Sequence, residues 1–256
     1  MPEPGDDVGR GRNAAGAGLL GVGVVAAWEM ASVARVVRRG DAGGRADHAY
    51  RVGEGLGEPL HLLLLGDSAV DGYGLTADEA LPRQLATRVA AATGRRVVVR
   101  CLAVSGATTS DVARFQVPLL RAADQIDAIV IGVGVNEVLK RTPAAAVDEA
   151  TRQLIAGVQR AAPAAAVAFV VCHDLSTAPG FGPVLRRVVG ARCRAVARRQ
   201  TRVLRQHGVR VVQGDTPGAP QMYGRDGLHP GPLAIVAIAD AVTATLVARS
   251  AVLSDA

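Results

Sequence analysis

Short apolar runs alternate with longer amphipathic stretches along most of this chain. Residues 60–65, 96–102, 128–133, 165–172 and 209–212 form runs of strand length, apolar enough to be covered on both faces. Between them, a 3.6-residue pattern predicts helices over about residues 77–93, 109–123, 143–161 and 182–207. A last helix begins after Pro230, whose fixed φ suits a first helical turn, and runs to about Ala248. Each strand is followed by a helix. That order predicts an α/β fold with a doubly wound five-stranded parallel sheet, because right-handed crossovers put helices on both faces. No internal repeat is visible.

The alternation does not reach back to the first residue. Arg10 and Arg12 precede an apolar run at 14–28, and Glu29, Arg35, Arg38 and Arg39 follow it. Three readings stand for this run. As a signal peptide it would end at Ser32-Val33-Ala34, with Glu29 set where the apolar region meets the cleavage site. As a membrane span it is Gly-rich and shorter than the roughly 20 residues usually needed. As an amphipathic helix it would lie on the folded domain or on a membrane. An anchor with its arginine excess after the apolar run leaves the following domain cytoplasmic. The expected organisation is an extra N-terminal helix in residues 1–45, a candidate membrane anchor; a linker at 46–58, where Gly and charge dominate; and one folded domain at 59–256. The expected location is cytoplasmic, with membrane association through residues 14–35, and secretion is the alternative.

Composition narrows the partners. The 29 Lys and Arg against 23 Asp and Glu give a formal charge of +6, and every basic residue except Lys140 is arginine. Three Phe, three Tyr and one Trp leave little aromatic surface on which bases could stack, so no nucleic-acid partner is expected. The densest basic run, residues 186–205, reads as the solvated face of a helix. Cys101, Cys172 and Cys193 make an odd count without metal-ligand spacing, which points to a reducing compartment.

In a sheet of strand order 2-1-3-4-5 the crevice opens at the carboxyl ends of strands one and three, and the polar residues of this chain gather there. Strand one ends in Asp67-Ser68, strand two runs into Ser105-Gly106-Ala107-Thr108, strand three ends in Gly134-Val135-Asn136-Glu137, and the loop before the last helix carries Asp226 and His229. A serine becomes a useful nucleophile only when an imidazole takes its proton, which makes His229 the required base for Ser68. Asp226, three residues earlier, can accept the other ring N–H and fix the tautomer. The oxyanion of a tetrahedral intermediate then needs donors. The backbone N–H groups of Ser68 and Gly106 and the side-chain amide of Asn136 can supply them if the three loops meet.

The blocks Gly66-Asp67-Ser68, Gly106, Gly134-Val135-Asn136 and Asp226-Gly227-Leu228-His229, in this order, resemble the SGNH (GDSL-type) hydrolase superfamily of esterases, lipases, thioesterases and carbohydrate deacetylases. The likeness covers about residues 60–245. It implies a flavodoxin-like sheet, Ser68 as nucleophile, Gly106 and Asn136 as oxyanion donors, His229 as base with Asp226 as its aspartate, and no cofactor or metal. There are two departures: Ala69 stands where the family name has leucine, and Glu137 where an aspartate often follows the asparagine. Neither removes a catalytic group, and Glu137 is expected to alter how the Asn136 loop is braced.

The function expected is a serine hydrolase that cleaves carboxylic esters of short or medium acyl chain through an acyl-enzyme, acting on a small-molecule or lipid-like ester. Two alternatives stand beside it. A metal-dependent phosphoesterase would need further His and Asp ligands, and a non-catalytic binding module would not need all of Ser68, Asp226 and His229. Among other polar residues, Asp67 is expected to brace neighbouring loops, and Met222 and Tyr223 to pack a loop. His173 and Asp174 follow strand four without a catalytic role. The segment 173–183 is expected to form a pocket wall. His48, His61 and His207 have no partner visible in the sequence.

Overall fold

The computed structural model of the chain describes residues 49–55, 57–120, 125–214 and 219–248. The helix expected within residues 1–45, and His48, lie outside them. Among the described residues no helix is long and apolar enough to cross a membrane.

Six strands form one sheet: β1 (Ala49–Val52), β2 (Leu60–Gly66), β3 (Val97–Cys101), β4 (Ala128–Gly132), β5 (Ala166–Val170) and β6 (Arg210–Val212), in the order β1-β3-β2-β4-β5-β6. From β2 to β6 all pairings are parallel, as the five-strand reading requires. The sixth strand is a correction. β1 lies in the stretch read as linker and pairs antiparallel with β3, with Val52 opposite Val97. It is short, and its Ala49 and Arg51 are exposed, so it carries little of the apolar signal that marks the other strands.

Seven helices complete the described fold: α1 (Ser68–Asp71), α2 (Leu81–Thr93), α3 (Thr109–Asp111), α4 (Val135–Leu139), α5 (Ala144–Ala161), α6 (Pro183–Gln206) and α7 (Pro232–Val247). The unbroken apolar strands are explained by burial on both sides. Leu62, Leu64 and Val130 pack with Leu85 and Val89 of α2 and Ile238 and Val242 of α7. Their neighbours Leu63, Leu65, Ile129 and Ile131 face the other way, into Leu154, Ile155 and Val158 of α5 and Leu204 of α6. Burying such a side chain stabilises the fold by about 1.5–3 kcal/mol relative to exposure.

Two predicted helices differ. α2 starts at Leu81, because Thr76 and Glu79 close a turn of their own through Thr76 N–H to Glu79 Oε2 (3.0 Å) and Glu79 N–H to Thr76 Oγ1 (3.3 Å). Of the helix expected over 109–123, residues 121–123 lie outside the described residues, and the rest is α3 followed by a π-turn (Val112–Gln116) and a 3₁₀ turn (Val117–Leu119). Its regular ladder is lost where Gln116 turns its amide onto the N–H and C=O of Gly66, at 2.8 Å each, and where Pro118 has no N–H to give. On α6, Arg187, Arg192, Arg198 and Arg205 are exposed, Arg194 meets Asp174 at 2.6 Å, and Arg199 and Arg202 share Asp148 of α5 at 2.8 and 2.6 Å. The basic run is thus a solvated face laced with ion pairs.

Candidate functional site

Ser68 sits where β2 ends, as the first residue of the single turn α1. Asp67 caps that turn, accepting from the N–H of Ala69 at 3.0 Å. The turn lies directly on the sheet. A Cβ at Gly132 would come 2.6 Å from Val70 Cγ2, so only glycine lets α1 approach β4 this closely. This close seating puts the serine at the carboxyl edge between β2 and β4, the topological switch point.

His229 arrives from 161 residues away, and its Nε2 lies 2.9 Å from Ser68 Oγ. On the other side of the ring, Nδ1 lies 2.5 Å from Asp226 Oδ2. The spacing of Asp226 and His229 works because Asp226 Oδ1 also accepts the N–H groups of Leu228 (2.9 Å) and His229 (3.0 Å), which curls the loop and aims both side chains at once. Burial pushes the Asp226 carboxyl up, but the hydrogen bond and charge of His229, together with those two N–H groups, outweigh it and hold the carboxyl below its ordinary range. An ionised Asp226 favours the tautomer with a proton on Nδ1. Nε2 is then free to accept from Ser68.

Gly106 and Asn136 reach the same cavity as Ser68 and His229, a space of about 350 Å³. Asn136 Nδ2 donates to Ala107 O at 2.9 Å and approaches Asp67 Oδ2 at 3.5 Å. Gly134, just before α4, has a φ of +149°, and a Cβ there would meet Cys172 Cβ at 2.7 Å; this position sets the path that turns Asn136 inward. Glu137, the departure from the family pattern, is buried and accepts the Thr109 N–H at 2.5 Å, tying the Asn136 loop to the Gly106 loop.

Asp67 braces loops as expected, and its environment is unusual. Burial raises its pKa to about 7, the N–H of Ala69 offsets part of this, and the charge of Glu137 adds to the rise. Tyr223 packs as expected, buried with its hydroxyl 2.9 Å from Thr177 Oγ1. The segment 173–183 is a correction. His173 lines the cavity, but Phe181 is buried with Leu185, Leu228 and Tyr223, and the Gly180 N–H donates to Gly227 O at 2.9 Å. The segment props up the Asp226–His229 loop from behind, because an apolar phenylalanine gains more from that core than from a solvent-facing wall.

Two further residues carried no role in the sequence reading. Tyr73 stacks on His229 with ring centroids 4.5 Å apart and planes tilted by 35°. Lys140 Nζ donates to Gly106 O at 2.9 Å. Tyr73 stands in the same block as Ser68, which was the available hint; nothing local points from Lys140 to Gly106. His61 and His207 take no part in the cavity. Among the described residues no three His, Cys, Asp or Glu side chains converge as metal ligands would.

A mostly parallel sheet with a serine, a histidine and an aspartate in hydrogen-bond sequence at its switch point defines the class of SGNH-type acylhydrolases, which act on ester bonds. The chain belongs to the GDSL-like lipase/acylhydrolase family, whose pattern it matches over residues 64–234. It is 29% identical over 217 residues to the GDSL-like esterase Rv1075c of Mycobacterium tuberculosis, covering 78% of this chain and 68% of that one. Two solved structures share the fold. The psychrotrophic esterase EstA from Pseudoalteromonas sp., inhibited by monoethylphosphonate, superposes with a TM-score of 0.56 at 20% identity, over 72% of this chain and 95% of its own. TesA does so with a TM-score of 0.57 at 23% identity, over 73% and 97%.

Proposed function

We propose that this acylhydrolase cleaves carboxylic esters of short or medium acyl chain, with Ser68 as nucleophile and an acyl-enzyme as intermediate. The observation that carries the reading is the unbroken relay Ser68 Oγ, His229 Nε2, His229 Nδ1, Asp226 Oδ2 beside a partly open, largely apolar cavity.

The steps follow from what each atom can do. Ser68 Oγ attacks the ester carbonyl carbon as its proton passes to His229 Nε2, and the imidazolium is stabilised by ionised Asp226. The carbonyl oxygen takes the negative charge, facing the N–H of Ser68, the N–H of Gly106 and the Asn136 amide. Collapse breaks the C–O bond to the alcohol, which leaves with the proton from His229. Water then attacks the acyl-Ser68 ester, with His229 again taking a proton and returning it to Ser68 Oγ as the acid departs.

Val70, Leu81, Val170, Ile235 and Ile238 give the same cavity a largely apolar lining. About 350 Å³ is near the small end of ligand pockets, which suits a modest acyl group better than a long chain. The test is a series of p-nitrophenyl esters from acetate to palmitate, run on the wild-type chain and on Ser68→Ala, with and without a chelator. Turnover that peaks at a short or medium acyl length, survives chelation and falls at least about a hundredfold in Ser68→Ala supports the reading. Turnover retained in Ser68→Ala removes it.

A further inference from the structure

One titratable group at the cavity has no part in that reaction. His173, three residues past the end of β5, lines the cavity with Val171, Cys172 and Gly214. Its Nε2 is buried and has no hydrogen-bond partner among the described residues. Buried polar atoms are paired in the great majority of cases, and an unpaired one costs stability that an apolar residue of similar volume would not. The backbone of Gly214 runs close beside this residue: a Cβ on Gly214 would come 3.1 Å from His173 Cβ.

The groups facing His173 decide what it can recognise. His229 repels a second positive charge, and Asp174 attracts one, but the Asp174 carboxylate is already committed to Arg194 and to the N–H of Ser176. Burial, then the charge of His229, lower the His173 pKa to about 4. The ring is therefore neutral near pH 7, too weak a base to compete with His229 for the serine proton, and unable to attract a carboxylate as a cation would. A neutral imidazole offers one N–H and one lone pair. Set in an otherwise apolar wall, it complements a single uncharged oxygen.

We propose that His173 hydrogen-bonds a hydroxyl or oxo oxygen carried by the acyl group in the cavity, so that hydroxyacyl or oxoacyl esters are preferred over plain ones of equal length. This rests on the esterase reading above and on the acyl group entering the cavity. A site built to bond a substrate oxygen discriminates strongly against the analogue that lacks it, because its own polar atom is then left unpaired.

The probes are p-nitrophenyl butyrate and p-nitrophenyl 2- and 3-hydroxybutyrate, compared by kcat/KM on the full chain. The wild type should favour one hydroxybutyrate by about tenfold. His173→Leu should abolish that preference, bringing the kcat/KM values of hydroxybutyrate and butyrate together, and His173→Asn should restore part of it. Equal wild-type rates on all three esters, or a preference that persists in His173→Leu, overturns the proposal. If His173→Leu does not melt cooperatively, the wild-type comparison and His173→Asn still decide it. A wild type that melts cooperatively yet hydrolyses none of the esters overturns the esterase reading, and the subsite with it.

Discussion

Lys140, the chain's single lysine, donates from Nζ to the carbonyl oxygen of Gly106 at 2.9 Å. One turn earlier, Asn136 Nδ2 reaches Ala107 O at 2.9 Å, and Glu137 accepts the N–H of Thr109 at 2.5 Å. Three residues at α4 thus grip Gly106 and Ala107 of the loop after β3 and Thr109 at the start of α3, so the two proposed oxyanion donors outside α1 are held as one unit.

Lys140→Met should loosen that unit without unfolding it. Losing an oxyanion donor outright typically costs about 10²- to 10³-fold in rate, and Lys140 only positions one from an exposed site. The expected loss is about three- to tenfold in kcat with little change in the melting temperature. Lys140→Arg should restore much of it. Steady-state rates on p-nitrophenyl acetate beside thermal melts check this.

On the proposed mechanism, Asn136→Ala should lower kcat by about 10²-fold or more and leave KM nearly unchanged, because its amide would bond the oxygen most strongly once charge develops there. A normal kcat with raised KM would assign Asn136 to substrate binding. Asp226→Ala should be severe but milder than His229→Ala, since the aspartate orients and stabilises the imidazole without exchanging a proton with substrate.

Two buried groups tilt the pH dependence of stability in opposite directions. Asp67 titrates near 7 when folded and near 3.8 when unfolded, so between these values the folded chain holds the extra proton and stability falls as pH rises, then levels off. His173 titrates near 4 when folded and 6.5 when unfolded, so stability falls as pH drops from 6.5 to 4. Asp67→Asn should therefore steepen the loss on acidification. His173→Leu should leave a stability that declines from pH 4 to 7. Urea midpoints measured across that window test both slopes.

Ile238→Ala should move the acyl preference towards longer chains by deepening the cavity, at a stability cost of about 2–4 kcal/mol for the buried side chain. Ile238→Phe should do the reverse, sparing acetate and losing longer esters. An acyl profile unchanged in both variants would mean that the chain does not lie against α7.

Much of the architecture was legible before any coordinates. The five parallel strands announced themselves because a strand covered on both faces must be apolar at successive positions, as Leu62 to Leu65 show. β1 escaped because an edge strand with Ala49 and Arg51 exposed has no such pattern. The irregular segment after α3 escaped because its break depends on Gln116 reaching Gly66, 50 residues away.

The site divides in the same way. By itself the sequence determined which residue types stand at the strand ends and that Asp226 and His229 share one loop, since turn chemistry and three-residue spacing are local matters. Only the tertiary structure decided that His229 meets Ser68 across 161 residues, that Lys140 anchors Gly106 across 34, that Tyr73 stacks on the histidine, and that Phe181 supports the loop from the core. Those contacts are set by how the helices close over the sheet, and no short-range pattern of residues encodes a distance between segments that meet only after folding.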